Sequence, residues 1–178
     1  MEIKQFEVIG AKSSINWTGR KVTGAHYGTI SIQSGTLNLS GGKLSSGNII
    51  IDTTSIKILD VTDPDTNNQF AGHLFSEDFF AVERFPEATF IMSSVEQVSG
   101  DDYLITGDLT IKNITHPVSF AAEVAVTDDV ISASGRFLID RTKYNMKFRS
   151  GNFFTNLGDT LIYNEFELDL KLTAVVSF

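Results

Sequence analysis

The chain has 178 residues, 42% of them hydrophobic and 20% charged, which fits one folded domain spanning 1–178 and excludes a disordered chain. A formal charge of −8 with no clustered Lys or Arg excludes a nucleic-acid partner, since displacing counterions from phosphates needs such a cluster. Zero cysteines exclude disulfides, thiolate nucleophiles and cysteine metal sites, but leave the compartment open.

From Met1 to Val8 there is no basic segment followed by an apolar stretch, so the chain as given shows no signal peptide. The expectation is a soluble protein, cytoplasmic, or periplasmic if a leader was removed. No apolar run approaches the roughly 20 residues of a membrane span, so stable membrane insertion is not expected.

Residues 1–62 read as β structure. Ser14 to Trp17 starts one strand, and Gly28 to Ser34 with Thr36 to Leu39 makes a hairpin-like pair. Gly41-Gly42 turns the chain, and Ser46-Gly47 breaks it again before Asn48 to Asp52. Three consecutive isoleucines, Ile49, Ile50 and Ile51, leave the register of that strand undetermined.

A helical segment over about residues 63–80 interrupts the strands. Asp63 is suited to the N-cap and Pro64 to the first helical position, while Phe70 and Leu74 share a face. Ser76 can cap a second short turn carrying Phe79 and Phe80, and Pro86 stops it. An apolar helix face of this kind is usually core; it can also plug a barrel mouth. Ala88 to Val95 resumes as a strand.

The second half alternates apolar and polar residues with period two, the mark of a sheet with one buried face. Leu104 to Phe120 reads as two strands joined at Asn113 to Pro117, with His116-Pro117 in the turn. Gly135 to Tyr144 and Tyr163 to Thr173 supply two more strands. Phenylalanine dominates the aromatics (14, against 4 Tyr and 1 Trp), and it has no polar handle, which suits a dry interior.

Enzyme signatures are thin: there is no Gly-x-Ser-x-Gly elbow, phosphate loop or dinucleotide fingerprint. His26, His73 and His116 lack metal-ligand spacing and are assigned to capping and turn hydrogen bonds. The pairs Asp101-Asp102 and Asp128-Asp129 fall where turns are expected. Asp140-Arg141 ends an apolar strand; a salt bridge tying down a rim loop is favoured over contact with a polar ligand head. No catalytic residue, metal ligand or cofactor site is expected, and the chain is read as a non-enzyme.

Four stretches in order carry a resemblance: Gly72 to Phe90, Leu104 to Val118, Gly135 to Met146 and Glu165 to Leu172. From about Ser13 to Ala174 the chain resembles the YceI-like family of polyisoprenoid-binding or lipid-binding proteins with a lipocalin-like barrel. It departs at Asn145, where the family often has Gly; Asn tolerates the left-handed conformation too. The resemblance implies a mainly β fold, an eight-stranded antiparallel lipocalin-like β-barrel with the short helical segment near one mouth. It also implies an elongated apolar pocket for an amphiphilic long-chain lipid of isoprenoid, quinone or fatty-acyl type, with no catalytic residues.

Alternation places Ile105, Leu109, Ile111, Val118, Phe120, Val124, Phe137, Ile139, Phe166, Leu168, Leu170 and Leu172 on the inward face. Candidate ligand-binding residues from these and earlier strands are Trp17, Phe90, Leu109, Ile111, Phe120, Phe137, Ile139, Phe166 and Leu168. Each alone would serve as plain barrel core; the functional expectation concerns the set. Two other readings stay open: a structural or protein-interaction barrel with a self-filled core, and an enzyme acting on a bound lipid. A homodimer is among the assembly states the sequence permits.

Overall fold

A computed structural model describes residues 3–151 and 161–177. Nine antiparallel strands form its one sheet: β1 (Ile3–Val8), β2 (Ser14–Lys21), β3 (Gly24–Ser40), β4 (Lys43–Ile58), β5 (Glu87–Ser99), β6 (Asp102–Ile111), β7 (Ile114–Val126), β8 (Val130–Asp140) and β9 (Ile162–Val176). One helix, α1 (Pro64–Phe75), connects β4 to β5.

The sheet closes on itself because β2 pairs with both β3 and β9, and β3 pairs with β4. β1 and β2 share one position: β1 pairs with the far end of β3 and of β9, β2 with their near portions. A 3-10 turn at Gly10–Lys12 divides them. Nine strands therefore make an eight-staved barrel, the architecture implied by the family resemblance.

The early strands are longer than the glycine pattern suggests. Gly28 to Leu39 is no hairpin but part of the single strand β3, whose pairing with β4 shifts at three irregularities. Such bulges coil a long strand around a barrel. Ser46-Gly47 does not break β4 either: a Cβ at Gly47 would lie 2.7 Å from the Thr36 carbonyl oxygen. The same crowding recurs at Gly28, where a Cβ would lie 1.7 Å from the Lys57 oxygen and 2.7 Å from the Trp17 ring. These glycines admit a neighbouring backbone or ring rather than a turn. Ile49 is buried, Ile51 borders the interior, and Ile50 between them takes the other face.

The β6–β7 hairpin turns on Lys112 and Asn113, both at positive φ (54° and 62°), not on residues 113–117. His116 and Pro117 belong to β7, opposite Leu109 and Asp108. Proline is tolerated there because β7 joins β8 only over Ala122 to Val126, so no second ladder needs its missing N–H. β8 ends at Asp140 rather than Tyr144; Asp140 accepts from the Thr142 N–H (3.0 Å) and caps a 3-10 turn, Arg141–Tyr144. That turn ends at Asn145 with φ 60°, the left-handed conformation anticipated for it.

Asp63 caps α1 by accepting from the Thr66 N–H (3.0 Å), with Pro64 at the first position. The helix stops at Phe75. The expected short turn follows, with the Phe79 N–H donating to the Ser76 carbonyl (3.0 Å), but the Ser76 hydroxyl does not cap it; it donates back to the His73 carbonyl (2.6 Å). No residue of α1 is buried, so it does not sit as a core helix. Among the described residues no helix is long and apolar enough to cross a membrane.

Candidate functional site

The barrel interior divides into two halves. Toward β1 and the β3–β4 turn, side chains such as Phe6, Leu37, Leu44, Ile105, Val124, Ile131 and Leu172 fill the space. The void left among Leu37, Ile49, Phe90, Ile105, Phe120 and Leu172 is only about 20 Å³, too small to be a ligand site. Toward the β2–β3 turn and α1 the interior is hollow, with a cavity of about 700 Å³. That volume lies within the range of small-molecule sites.

Five of the expected residues border this cavity: Trp17, Leu109, Ile111, Phe166 and Leu168. The other four do not. Phe90 and Phe120 line the small void, Phe137 stacks on Phe120 with ring centres 4.5 Å apart, and Ile139 is buried. The Phe120–Phe137 stack falls where β7 and β8 have ceased to pair and fills the gap between them. Alternation identifies the inward face of a strand but not the depth of a residue along the axis.

Further lining comes from β3 and β4, through Ile30, Ile51 and Ile56, and from Met146, Phe148 and Ile162 beyond β8. The face of α1 weighed above as core or plug supplies Phe70 and Leu74, and Phe79 and Phe80 follow from the next turns. These aromatics belong to the mouth.

Polar groups gather at the same end. His26 donates from Nδ1 to Asp60 (2.7 Å) and stands edge-on to Phe70, linking β3 to the segment that leads into α1. Burial pushes the Asp60 carboxyl up, but the Tyr27 N–H and His26 outweigh it and hold the group below its ordinary value. His73 pairs with Asp78 (3.0 Å) and packs edge-on against Phe79 and Phe148. His116 donates to the Lys143 carbonyl (3.0 Å), away from the other two. Each histidine has its own partner, and no cluster of three metal-ligating side chains occurs among the described residues.

Two buried cations brace the mouth through backbone oxygens. Lys112 donates to the carbonyls of Glu77 and Asn145 (both 3.0 Å), joining the β6–β7 turn to the segments after α1 and after β8. Arg141 donates to the carbonyls of Tyr163 (3.0 Å), Met146 (2.6 Å) and Ile162 (3.0 Å). The expected salt bridge from Arg141 to Asp140 is not formed, because Asp140 is spent on capping the Thr142 N–H and hydroxyl. Burial lowers the pKa of both cations.

The YceI-like domain profile matches residues 6–174, nearly the whole described barrel. The chain belongs to this family. Among curated relatives of this YceI-like protein, Protein YceI of Escherichia coli O17:K52:H18 is 41% identical over 78 residues, 43% of the chain and 36% of the relative. Protein YceI of Salmonella arizonae is 32% identical over 135 residues, covering 74% of the chain and 65% of the relative. The matched stretches thus span between about a third and two thirds of those relatives. In fold, the chain is similar to Burkholderia cenocepacia BcnA, with a TM-score of 0.73 and 23% identity over 93% of this chain and 98% of that one. It is also similar to a polyisoprenoid-binding domain from Saccharophagus degradans, at TM-score 0.69 and 13% identity over 99% of this chain and 100% of that one.

Proposed function

We propose that this YceI-like protein binds an amphiphilic long-chain lipid of isoprenoid, quinone or fatty-acyl type, and carries or sequesters it without acting on it chemically. The observation that carries this reading is the hollow half of the barrel: about 700 Å³ bounded mainly by apolar side chains, next to a half packed nearly solid. A barrel filled by its own side chains would not leave that space. Similarity to a domain described as polyisoprenoid-binding supports the same ligand class.

In this reading Trp17, Leu109, Ile111, Phe166 and Leu168 are the wall against the lipid tail. Phe90, Phe120, Phe137 and Ile139 support the barrel beneath and beside it. Each methylene taken from water contributes about 0.8 kcal/mol, so a long tail binds well with few polar contacts. Pocket length and width then select among tails more than hydrogen bonds do.

Mass spectrometry of the purified protein, native and after organic extraction, tests the proposal. A stoichiometric isoprenoid, quinone or acyl species is expected, and Phe166→Asp is expected to purify folded and empty. An empty parent protein that takes up none of these lipids when offered them would overturn the reading, as would a folded F166D that still carries lipid.

A further inference from the structure

The hollow and filled halves of the barrel meet at a sharp boundary. On β5 the cavity is bordered by Ala88, and the small void beyond it by Phe90, the next residue on the same face. On β9 the same change falls between Leu168 and Leu170. On β6 it falls between Leu109 and Ile105, and the position between them on that face is Gly107.

Gly107 omits a side chain where the Phe90 ring takes up the space. A Cβ there would lie 2.5 Å from Phe90 Cζ, so the ring reaches across β6 at the boundary. Phe90 meets Phe120 of β7 with ring centres 5.8 Å apart, and Phe120 stacks on Phe137 of β8 at 4.5 Å. Gly135 of β8 makes room for Phe120 in the same way, since its Cβ would lie 3.1 Å from that ring. The rings thus form a plate from β5 to β8, half of the barrel wall.

The void behind the plate is about 20 Å³, so a ring pushed aside has no space to enter without overpacking the filled half. The opposite end of the cavity is framed by α1, which has no buried residue. From Ile162 near the mouth to Leu168 beside the plate, a strand of ordinary rise and tilt advances about 15 Å along the barrel axis.

We infer that Phe90, backed by Phe120 and Phe137, is the floor of the cavity and determines the longest tail the protein takes up. This rests on the lipid-binding reading above and adds what limits the tail. Each methylene taken into the cavity adds affinity until the tail meets the floor. Further methylenes stay at the mouth, in water, and add none. Ala88 is the last small residue above the floor on β5, so a larger side chain there raises it.

Even-chain saturated fatty acids from octanoate to tetracosanoate, titrated into the full chain, test the inference. Trp17 borders the cavity and is the single tryptophan, so its emission reports occupancy. In the parent, affinity is expected to rise about fourfold per methylene and then level off at one tail length. Phe90→Ala joins the void to the cavity and should move that length to longer tails. Ala88→Leu grows into the cavity instead of emptying the core, and should move it to shorter ones. Affinity that climbs through the whole series in the parent overturns the inference. So does a plateau that stays at the parent's length in Phe90→Ala, or in Ala88→Leu should Phe90→Ala not fold. Binding of none of the acids also overturns it, and if the parent is empty on extraction as well, the lipid reading falls with it.

Discussion

Tyr144 closes the 3-10 turn after β8 at 1% exposure, edge-on to His116 across 5.3 Å. Burial pushes its phenol up to about 12, against an ordinary value of 10.0. Below pH 10 the phenol is neutral in folded and unfolded chains alike and contributes nothing to pH dependence. Between 10 and about 12 the unfolded chain releases this proton first, so it binds fewer protons and stability falls as pH rises. The loss, complete once the folded group also ionises, is on the order of 2–3 kcal/mol. The urea midpoint of the parent should therefore fall more steeply above pH 10 than that of Tyr144→Phe. Equal slopes would assign the alkaline loss to other groups. The two buried cations act at the same scale but in another way, since both spend their hydrogen bonds on backbone oxygens of loops that frame the mouth. Neither bracing role is visible in sequence: Lys112 falls at the end of the strand before the turn expected at Asn113 to Pro117, and Arg141 reads as half of an ion pair.

The β6–β7 hairpin shows what an element owes to two residues. Lys112 and Asn113 both occupy the left-handed region, as a two-residue turn between twisted strands requires. Asn pays less for that conformation than Ala does, and Gly pays nothing. Asn113→Ala should cost about 1 kcal/mol, whereas Asn113→Gly should not lower the urea midpoint; equal losses in both would place the effect outside the backbone. The hairpin strands were legible because apolar and polar residues alternate cleanly from Leu104 to Phe120, but the turn was misplaced toward Pro117. Proline marks a turn only if its strand is flanked on both sides, and β7 lacks its second neighbour there. α1 was legible for a local reason, Asp63 before Pro64, which is written in adjacent residues. The β3–β4 region was not, because Gly28 and Gly47 answer to partners far along the chain, the Lys57 and Thr36 carbonyls.

At the scale of the whole barrel, the candidate site was legible in direction but not in depth. Period-two alternation put Phe120 and Phe166 on the same inward face, yet one packs the filled half and the other borders the cavity. Depth depends on strand stagger and on what α1 covers, neither of which one strand records. This division of labour has a measurable consequence. Ile105 lies in the filled half at 3% exposure, so Ile105→Ala should cost about 2–5 kcal/mol through lost burial and the cavity left behind. Its effect on the affinity of a cavity ligand should be small, because the site lies in the other half. A ligand at a hundred times its Kd adds about 2.7 kcal/mol to the folded state. The rise in Tm on adding such a ligand should thus survive I105A, from a lower starting point, and vanish in F166D. A ligand shift lost in I105A and retained in F166D would mean that the molecule receives its ligand at the opposite end from the cavity.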